Sequence, residues 1–157
     1  MKEMQRGDRL TSREEAWEIL RQSPYGVLCT TNDEGWPYGV QVFYVCLGEK
    51  IYFHCGAQGQ KMRSMAKDSR VCLTATRRWN LVPQRLTAGF ESAMVLGHCR
   101  RVEDPKEWQE ALAALCRKFC PHHMEEFPGE IQRNPMEKTG VYCIVPVEVT
   151  GKRKIEK

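Results

Sequence analysis

The sequence contains no long apolar run, and this absence bears on where the protein can reside. No stretch approaches the roughly 18 consecutive apolar residues that are needed to cross a membrane. The N-terminal segment MKEMQRGDRLTSREE also lacks the apolar core of a secretory signal peptide. We therefore expect a soluble, cytoplasmic protein that does not associate with a membrane.

The charges show no strong excess of either sign. The chain carries 24 basic and 20 acidic side chains, which gives a formal net charge of +4. Its basic clusters are short and scattered, at Arg77-Arg78, Arg100-Arg101 and Lys152-Arg153-Lys154. A nucleic-acid-binding protein more often concentrates such residues in one stripe or on one face. We expect no nucleic-acid partner.

No export signal accompanies the eight cysteines of the chain. An even cysteine count predicts a disulfide framework only in a secreted protein, so we expect reduced thiols. Four residues of metal-ligating type do lie close together, at Cys116, Cys120, His122 and His123. Their spacing matches no common zinc finger or ribbon. Four ligands within eight positions of the chain would also strain the tetrahedral geometry that zinc requires. We expect no metal site.

The residue pattern predicts three helices. Thr11 and Glu14 fit a capping box in front of a helix over 12–22, which ends before a proline. Asp104-Pro105 fits the N-cap and first position of a second long helix. A short helix is expected over 59–67, after a glycine turn.

Six β-rich segments accompany these helices, at 25–31, 37–47, 51–55, 70–76, 92–102 and 139–149. Short turns join the first three, which predicts an antiparallel meander. Residues 121–138 contain three prolines and no clear period, which predicts a loop. We expect one domain over 1–157, with flexible ends at 1–10 and 151–157. Its fold class is α+β: a six-stranded antiparallel β-barrel with peripheral helices.

The segment 37–47 carries apolar residues at both side-chain parities. This pattern predicts a barrel wall that is covered on its second face by a helix or by a partner subunit. A large apolar surface is rarely left bare on a soluble monomer, and two-fold dimers are the commonest oligomers. We therefore expect a homodimer.

The most informative segment runs from Ile51 to Met62. A strand ends in small and polar residues, a glycine turn follows, and Lys61 stands in the first turn of the next helix. A helix N-terminus offers free N–H donors, and a lysine adds positive charge, so the segment suits a phosphate group. It is not a P-loop, because no Gly-Lys-Ser/Thr is present. An ordinary strand–turn–helix with an exposed lysine is the alternative.

Several segments resemble those of one protein family in their order and spacing: Gly26-Val-Leu-Cys-Thr-Thr31, Asp33-Glu-Gly35-Trp-Pro37, Ile51-Tyr-Phe-His54-Cys-Gly-Ala with Gly59-Gln-Lys61-Met, and Glu91-Ser-Ala-Met-Val-Leu-Gly97. They are similar to the pyridoxamine-5′-phosphate-oxidase-like split-barrel flavoproteins, and most of all to the 5-nitroimidazole-resistance (Nim-type) branch. The resemblance covers roughly residues 5–150. It implies a split barrel that binds FMN at a homodimer interface.

The resemblance also implies roles for individual residues. Lys61 would bind the FMN phosphate, and the other cofactor-binding residues would be Thr30, Thr31, Val42, Phe43, His54, Cys55, Gly56, Gln60, Met62, Trp79, Arg85 and Ser92. Of these, Val42 and Phe43 would flank the isoalloxazine ring. Trp79, Arg85 and Ser92 would reach in from the facing subunit.

His54 is the candidate catalytic residue, since relatives carry a histidine close to the cofactor at this place. A structural hydrogen-bonding role for His54 is the alternative, and Cys55 beside it fits either a reactive thiol or a small buried filler. The expected function is that of an FMN-dependent oxidoreductase that reduces a small (nitro)aromatic substrate. The alternative is a non-catalytic flavin or haem carrier. Vitamin B6 oxidation is not expected, because the Arg/Leu-rich C-terminal segment of those oxidases is missing.

Overall fold

The computed structural model describes residues 6–56 and 58–156 of the chain. The described residues form an α+β fold with one antiparallel sheet of seven strands and four α-helices. The strands are β1 (Gly26–Thr31), β2 (Pro37–Val42), β3 (Tyr44–Leu47), β4 (Lys50–Gly56), β5 (Arg70–Val82), β6 (Thr87–Arg101) and β7 (Thr139–Lys154). The helices are α1 (Arg13–Gln22), α2 (Gln60–Lys67), α3 (Pro105–Phe119) and α4 (Phe127–Arg133). Within this part of the chain no helix is long and apolar enough to cross a membrane.

The strand order closes the sheet into a barrel. It runs β2-β1-β5-β6-β7-β4-β3, and all neighbouring strands are antiparallel. β2 and β3 form the two edges, yet only Phe43 separates them in the chain. Because consecutive Cα atoms are about 3.8 Å apart, the two edges must meet at Phe43. The predicted strand over 37–47 is therefore two strands, and the described sheet has seven strands where six were expected.

Helix α1 begins at Arg13 because Ser12 caps its N-terminus. The Ser12 hydroxyl accepts a hydrogen bond from the Glu15 N–H at 3.1 Å, and the Glu15 carboxylate accepts one from the Ser12 N–H at 3.3 Å. The predicted capping box at Thr11 and Glu14 is therefore wrong by one residue. The error arises because both pairs have the same spacing and suitable side chains.

The barrel encloses the larger of two apolar cores. Leu28, Phe53 and Val95 fill its interior, and α1 contributes Ile19 and its neighbours. The second core lies outside the barrel, where α3 packs Trp108 against β3, β4 and β7. Asp104 caps α3 as predicted, since its side chain accepts a hydrogen bond from the Glu107 N–H at 2.8 Å.

The two halves of the segment 37–47 differ in burial. On β3, Tyr44 lies in the barrel interior and Val45 lies under α3, so both faces are covered. On β2, Val42 is buried in the interior whereas Gln41 is exposed. The second apolar face is therefore covered by a helix on β3, and β2 presents a polar residue outward.

β5 and β6 pair well beyond the lengths that the sequence predicts. Their pairing continues to Val82 and Thr87, and a turn with Leu86 at a φ of 49° closes the hairpin. Many side chains here are exposed, so apolar alternation gives little strand signal, whereas the backbone hydrogen bonds of the ladder form regardless of it. We call residues 77–90 the hairpin arm.

Two segments that were predicted to lack regular structure contain it. Residues 127–133, inside the predicted loop, form α4, whose proline lies in the first turn, where no N–H is needed. Residues 151–154 continue β7, and Leu10 forms a β-bridge to this strand. The predicted flexibility of residues 1–5 and 157 falls outside the described residues.

Candidate functional site

The turn between β4 and α2 is open above its backbone. A Cβ added at Gly56 would meet no atom within 4 Å, and one added at Gly59 would meet only Met62 Cε at 4.0 Å. Gly59 has a φ of +148°, which L side chains rarely adopt. It is also the N-cap of α2, and no side chain there bonds the amides of the first turn. These N–H groups and the positive end of the helix dipole therefore face open space.

Lys61 adds an unengaged positive charge at the same place. Its side chain is half-buried and makes no hydrogen bond or ion pair with the residues that the structure describes. Its charge acts on both His54 and Cys55, so it lies beside the end of β4. A lysine, free amides and two glycines together fit a phosphate group.

Phe43 and His54 stand side by side on the outer surface. β3 pairs Tyr44 with Phe53, so Phe43 and His54 occupy the next position along the two strands. Phe43 is 55% exposed, and His54 is exposed as well. Partial desolvation by neighbouring protein atoms, followed by the charge of Lys61, lowers the pKa of His54 below its usual value of 6.5. The imidazole is therefore neutral at pH 7 and offers one donor and one acceptor.

These two residues line an apolar groove of about 910 Å³. Its other walls come from α3, α4 and the segment between them, and include Phe119, Phe127 and Ile131. The rings of Phe43 and Phe119 pack edge to face, with centroids 5.3 Å apart. Pockets that hold small organic ligands have volumes of about 300–1,000 Å³, so the groove can take such a ligand.

Lys118 fixes the end of α3 that carries Phe119. Its ammonium group donates to the carbonyl oxygens of Ser23 at 3.0 Å and Tyr44 at 2.9 Å. It also lies 4.6 Å from the centre of the Tyr44 ring. Burial lowers the pKa of Lys118. These contacts hold one wall of the groove against the start of β1 and β3.

Arg101, at the end of β6, was not among the predicted site residues. Its only hydrogen bond among the described residues is a long one, 3.4 Å to the Met136 carbonyl oxygen. Its charge acts on Cys55, as does that of Lys61. Its place at the end of a predicted strand was the one sequence signal for a site residue. From sequence alone, however, a ligand-binding arginine at such a position cannot be told from one that only faces solvent.

The remaining predicted residues of β1, β2 and β4 have mixed environments. Cys55 is buried, and burial raises its pKa, so it is a core thiol rather than a reactive thiolate. Val42 lies in the barrel core. Thr30 is also buried, and its hydroxyl has no hydrogen-bond partner among the described residues, while Thr31 is exposed. Gly56, Gln60 and Met62 border the turn beside Lys61.

Trp79 and Arg85 belong to the hairpin arm, and Ser92 follows it on β6. Trp79 lies in the hairpin arm, nine positions along β5 from Arg70, which is about 30 Å at the usual strand rise. Arg85 forms an ion pair with Glu156 at 2.8 Å. The resemblance implies that these three residues reach the ligand from a second subunit.

The cysteine and histidine residues near the groove do not assemble a metal site. Cys116, Cys120 and His123 line the groove, but no group of three or more His, Cys, Asp or Glu among the described residues is arranged to hold a metal ion. The eight cysteines are free thiols, and only Cys120 is exposed.

Comparisons with known proteins agree with this architecture. The family model described as pyridoxamine 5′-phosphate oxidase matches residues 12–153. No curated protein matches the chain in sequence. A proposed 5-nitroimidazole antibiotic resistance protein from Bacteroides thetaiotaomicron has a TM-score of 0.74 at 22% identity, over 92% of this chain and 86% of that one.

Two further solved structures are similar. A flavocytochrome from Azotobacter vinelandii has a TM-score of 0.79 at 20% identity, over 98% of this chain and 72% of that one. An FAD and haem binding protein from Mycobacterium smegmatis has a TM-score of 0.76 at 17% identity, over 93% of this chain and 73% of that one. At these identities the likeness shows a shared fold.

Proposed function

Since the chain belongs to the pyridoxamine 5′-phosphate oxidase family, we propose that it binds FMN at the turn before α2 and acts as an oxidoreductase on a small aromatic substrate. Nitroaromatic compounds are the substrates we expect. Similar structures that are named for flavin or flavocytochrome chemistry support a flavin as the cofactor.

The unengaged Lys61 beside the uncapped N-terminus of α2 is the observation that carries this proposal. A phosphate dianion there would accept hydrogen bonds from the first-turn amides and pair with the ammonium group. Gly56 and Gly59 leave the necessary space above the backbone. No carboxylate is bonded to Lys61 in the described residues, so a phosphate would not have to displace one.

Phe43 and His54 would then border the isoalloxazine ring, because His54 lies near the end of β4 beside Lys61 and Phe43 stands next to His54. The bound flavin would supply reversible electron transfer. The apolar groove would hold an aromatic substrate against its Phe43 and Phe119 walls. The neutral His54 imidazole would donate a hydrogen bond to the substrate and so orient it against the ring.

A homodimer is part of the same proposal. In the hairpin arm, Trp79 is 68% exposed, Leu81 65% and Leu86 95%. Such large apolar side chains in one segment are costly to leave in water and suit a contact with a second copy. A two-fold partner would bring the arm of one subunit to the flavin site of the other. This would place Trp79 and Arg85 where the family resemblance expects them.

Flavin titration of Lys61→Ala tests the phosphate site. Losing one charge-assisted hydrogen bond costs about 1.5–3 kcal/mol, so the dissociation constant for FMN should rise roughly ten- to more than hundredfold. Riboflavin has no phosphate and should bind both proteins equally. Lys67→Ala is the matched control, because Lys67 lies at the other end of α2 and its one hydrogen bond to a described residue is a long one, 3.5 Å to the Asp33 carbonyl oxygen. Unchanged FMN affinity in Lys61→Ala would refute the site.

Turnover separates the oxidoreductase from a flavin carrier. The FMN-loaded protein should be reduced by NADH or NADPH and reoxidised when a nitroimidazole is added. His54→Gln should slow the reoxidation while FMN affinity changes little, because His54 lies beside the ring rather than the phosphate. A protein that binds FMN but is neither reduced nor reoxidised would be a carrier.

The groove favours one second candidate, a haem carrier. It combines apolar walls with two imidazoles, His54 and His123. Histidine is a common axial ligand of haem iron. Titration with haemin should then give a Soret band that is lost in His54→Ala or His123→Ala. The absence of a shifted Soret band would exclude this candidate.

A further inference from the structure

A second cavity borders α2, and it shares no lining residue with the apolar groove. Its volume is about 660 Å³. Gln58 and Gly59 line it at the start of α2, and Arg101 and Tyr142 line it at the ends of β6 and β7. No acidic residue is among its lining residues.

Three arginines line this cavity, but two of them are already engaged. Arg63 donates to Asp33 at 3.1 Å, and Arg100 donates to Glu107 at 2.6 Å. Arg101 makes a single long bond of 3.4 Å to a backbone carbonyl and no ion pair with any described residue. A guanidinium group has five N–H donors, so most of the donors of Arg101 are available to a ligand.

Arg101 and Lys61 lie close to the same point of the chain. The charges of both act on Cys55, at the end of β4. Gln58 and Gly59, which directly precede the helical turn that carries Lys61, line the same cavity as Arg101. A ligand that extends from the α2 N-terminus into this cavity would meet Arg101, and guanidinium groups suit phosphate oxygens in particular.

We propose that this cavity binds a nucleoside diphosphate group, the ADP half of a flavin dinucleotide whose FMN half occupies the site at Lys61; this rests on the proposed function. Lys61 and the first-turn amides bind the flavin-side phosphate. Arg101 binds the second phosphate. Met62 and Met65, which also line the cavity, present polarizable thioethers to the adenine ring.

The test is a set of dissociation constants for FAD, FMN, riboflavin and ADP. They are measured by calorimetry or flavin fluorescence on the full chain and on Arg101→Ala, Arg101→Lys and Arg117→Ala. Arg117 is the matched control, because it is an exposed arginine on α3 that lines neither cavity. Circular dichroism of each variant confirms that the barrel is intact.

The wild type should bind FAD at least roughly tenfold more tightly than FMN. Arg101→Ala should raise the dissociation constants of FAD and ADP by roughly ten- to hundredfold and leave that of FMN within about twofold. Arg101→Lys should recover part of the loss, and Arg117→Ala should match the wild type. FMN binding as tight as FAD binding, or equal losses for FAD and FMN in Arg101→Ala, would overturn the proposal.

The failures of the two proposals can be told apart. If FMN binds more tightly than riboflavin but Arg101 contributes nothing to FAD or ADP, the phosphate site at Lys61 stands and the second cavity does not bind ADP. If ADP binds in an Arg101-dependent way but no flavin binds, the proposed function fails, and with it the dinucleotide flavin.

Discussion

Glu91→Gln tests how the hairpin arm is fixed to the barrel. Glu91 is 8% exposed, and its carboxylate faces two guanidinium groups. Arg77 donates to Oε2 through Nε at 2.9 Å and through Nη2 at 2.8 Å. Arg153 Nε lies 3.0 Å from Oε1, and Arg153 Nη2 lies 2.8 Å from a Glu15 oxygen on α1. The network therefore joins β5, β6, β7 and α1 at the base of the arm.

The burial and contacts of Glu91 set the expected loss in the free energy of unfolding. Removing one partner of a buried ion pair costs about 3–5 kcal/mol, because the other charge is left uncompensated. The glutamine amide oxygen still accepts a hydrogen bond, worth about 1 kcal/mol, from Arg77. The Arg153 side chain is 32% exposed and regains solvation. We therefore expect Glu91→Gln to lower the free energy of unfolding by about 2–3 kcal/mol at pH 7.

The same network predicts a pH dependence. Burial alone would raise the pKa of Glu91, but the hydrogen bonds and charge of Arg77, with the charge of Arg153, hold it below its usual 4.5. A carboxyl group with a lowered folded-state pKa contributes stability above its unfolded pKa, and this contribution is lost as the pH falls through the folded-state pKa. The difference between wild type and Glu91→Gln should therefore shrink as the pH falls below 4.5.

Urea unfolding of both proteins at pH 7 and at acid pH measures this effect through the midpoint, with the slope unchanged. Glu18→Gln is the control, because the ion pair between Glu18 and Arg21 is 3.7 Å long and half-exposed. It should change stability by less than about 0.5 kcal/mol. The reasoning fails if Glu91→Gln costs no more than the control at pH 7, or costs the same at both pH values.

Further predictions concern the site and the interface. Trp79→Ser combined with Leu81→Ser should shift sedimentation velocity from dimer to monomer, and an unchanged coefficient would argue against the arm as the interface. Gly59→Ala should destabilise the fold by about 1–3 kcal/mol in urea and weaken FMN binding, because its φ of +148° strains any side chain. Reoxidation by a nitroimidazole should slow in the wild type as the pH falls through the lowered pKa of His54, because a protonated His54 adds a positive charge beside Lys61 that stabilises the anionic reduced flavin; it should be pH-independent in His54→Gln.

Local signals predicted some elements well. Asp104-Pro105 marks the start of α3, because capping depends on adjacent residues. The break at Phe43 is invisible in sequence, because apolar residues continue across it and only barrel closure separates the strands. The strands of the hairpin arm were missed for a different reason. Their backbones pair fully, but Trp79 and Leu81 are exposed, so the sequence shows no alternation of buried and exposed residues.

The candidate site also has a part that could be predicted from the sequence and a part that could not. The region of His54 and Lys61 could be predicted because a strand end, a turn and a helix start lie within one short segment. The groove could not, because its walls come from α3 and α4, far along the chain, and α4 lies in a proline-containing segment. Arg101 reaches the site only through the pairing of β6 with β7.

The ratio of the riboflavin and FMN dissociation constants of the wild-type protein tests the central claim most directly. The two flavins differ only in the phosphate, so the ratio isolates the contribution of the site at Lys61 and the α2 amides. A site that holds the phosphate predicts FMN binding that is roughly ten- to more than hundredfold tighter, with flavin absorption in the purified complex. Equal affinities for FMN and riboflavin, or no binding of either, would contradict it.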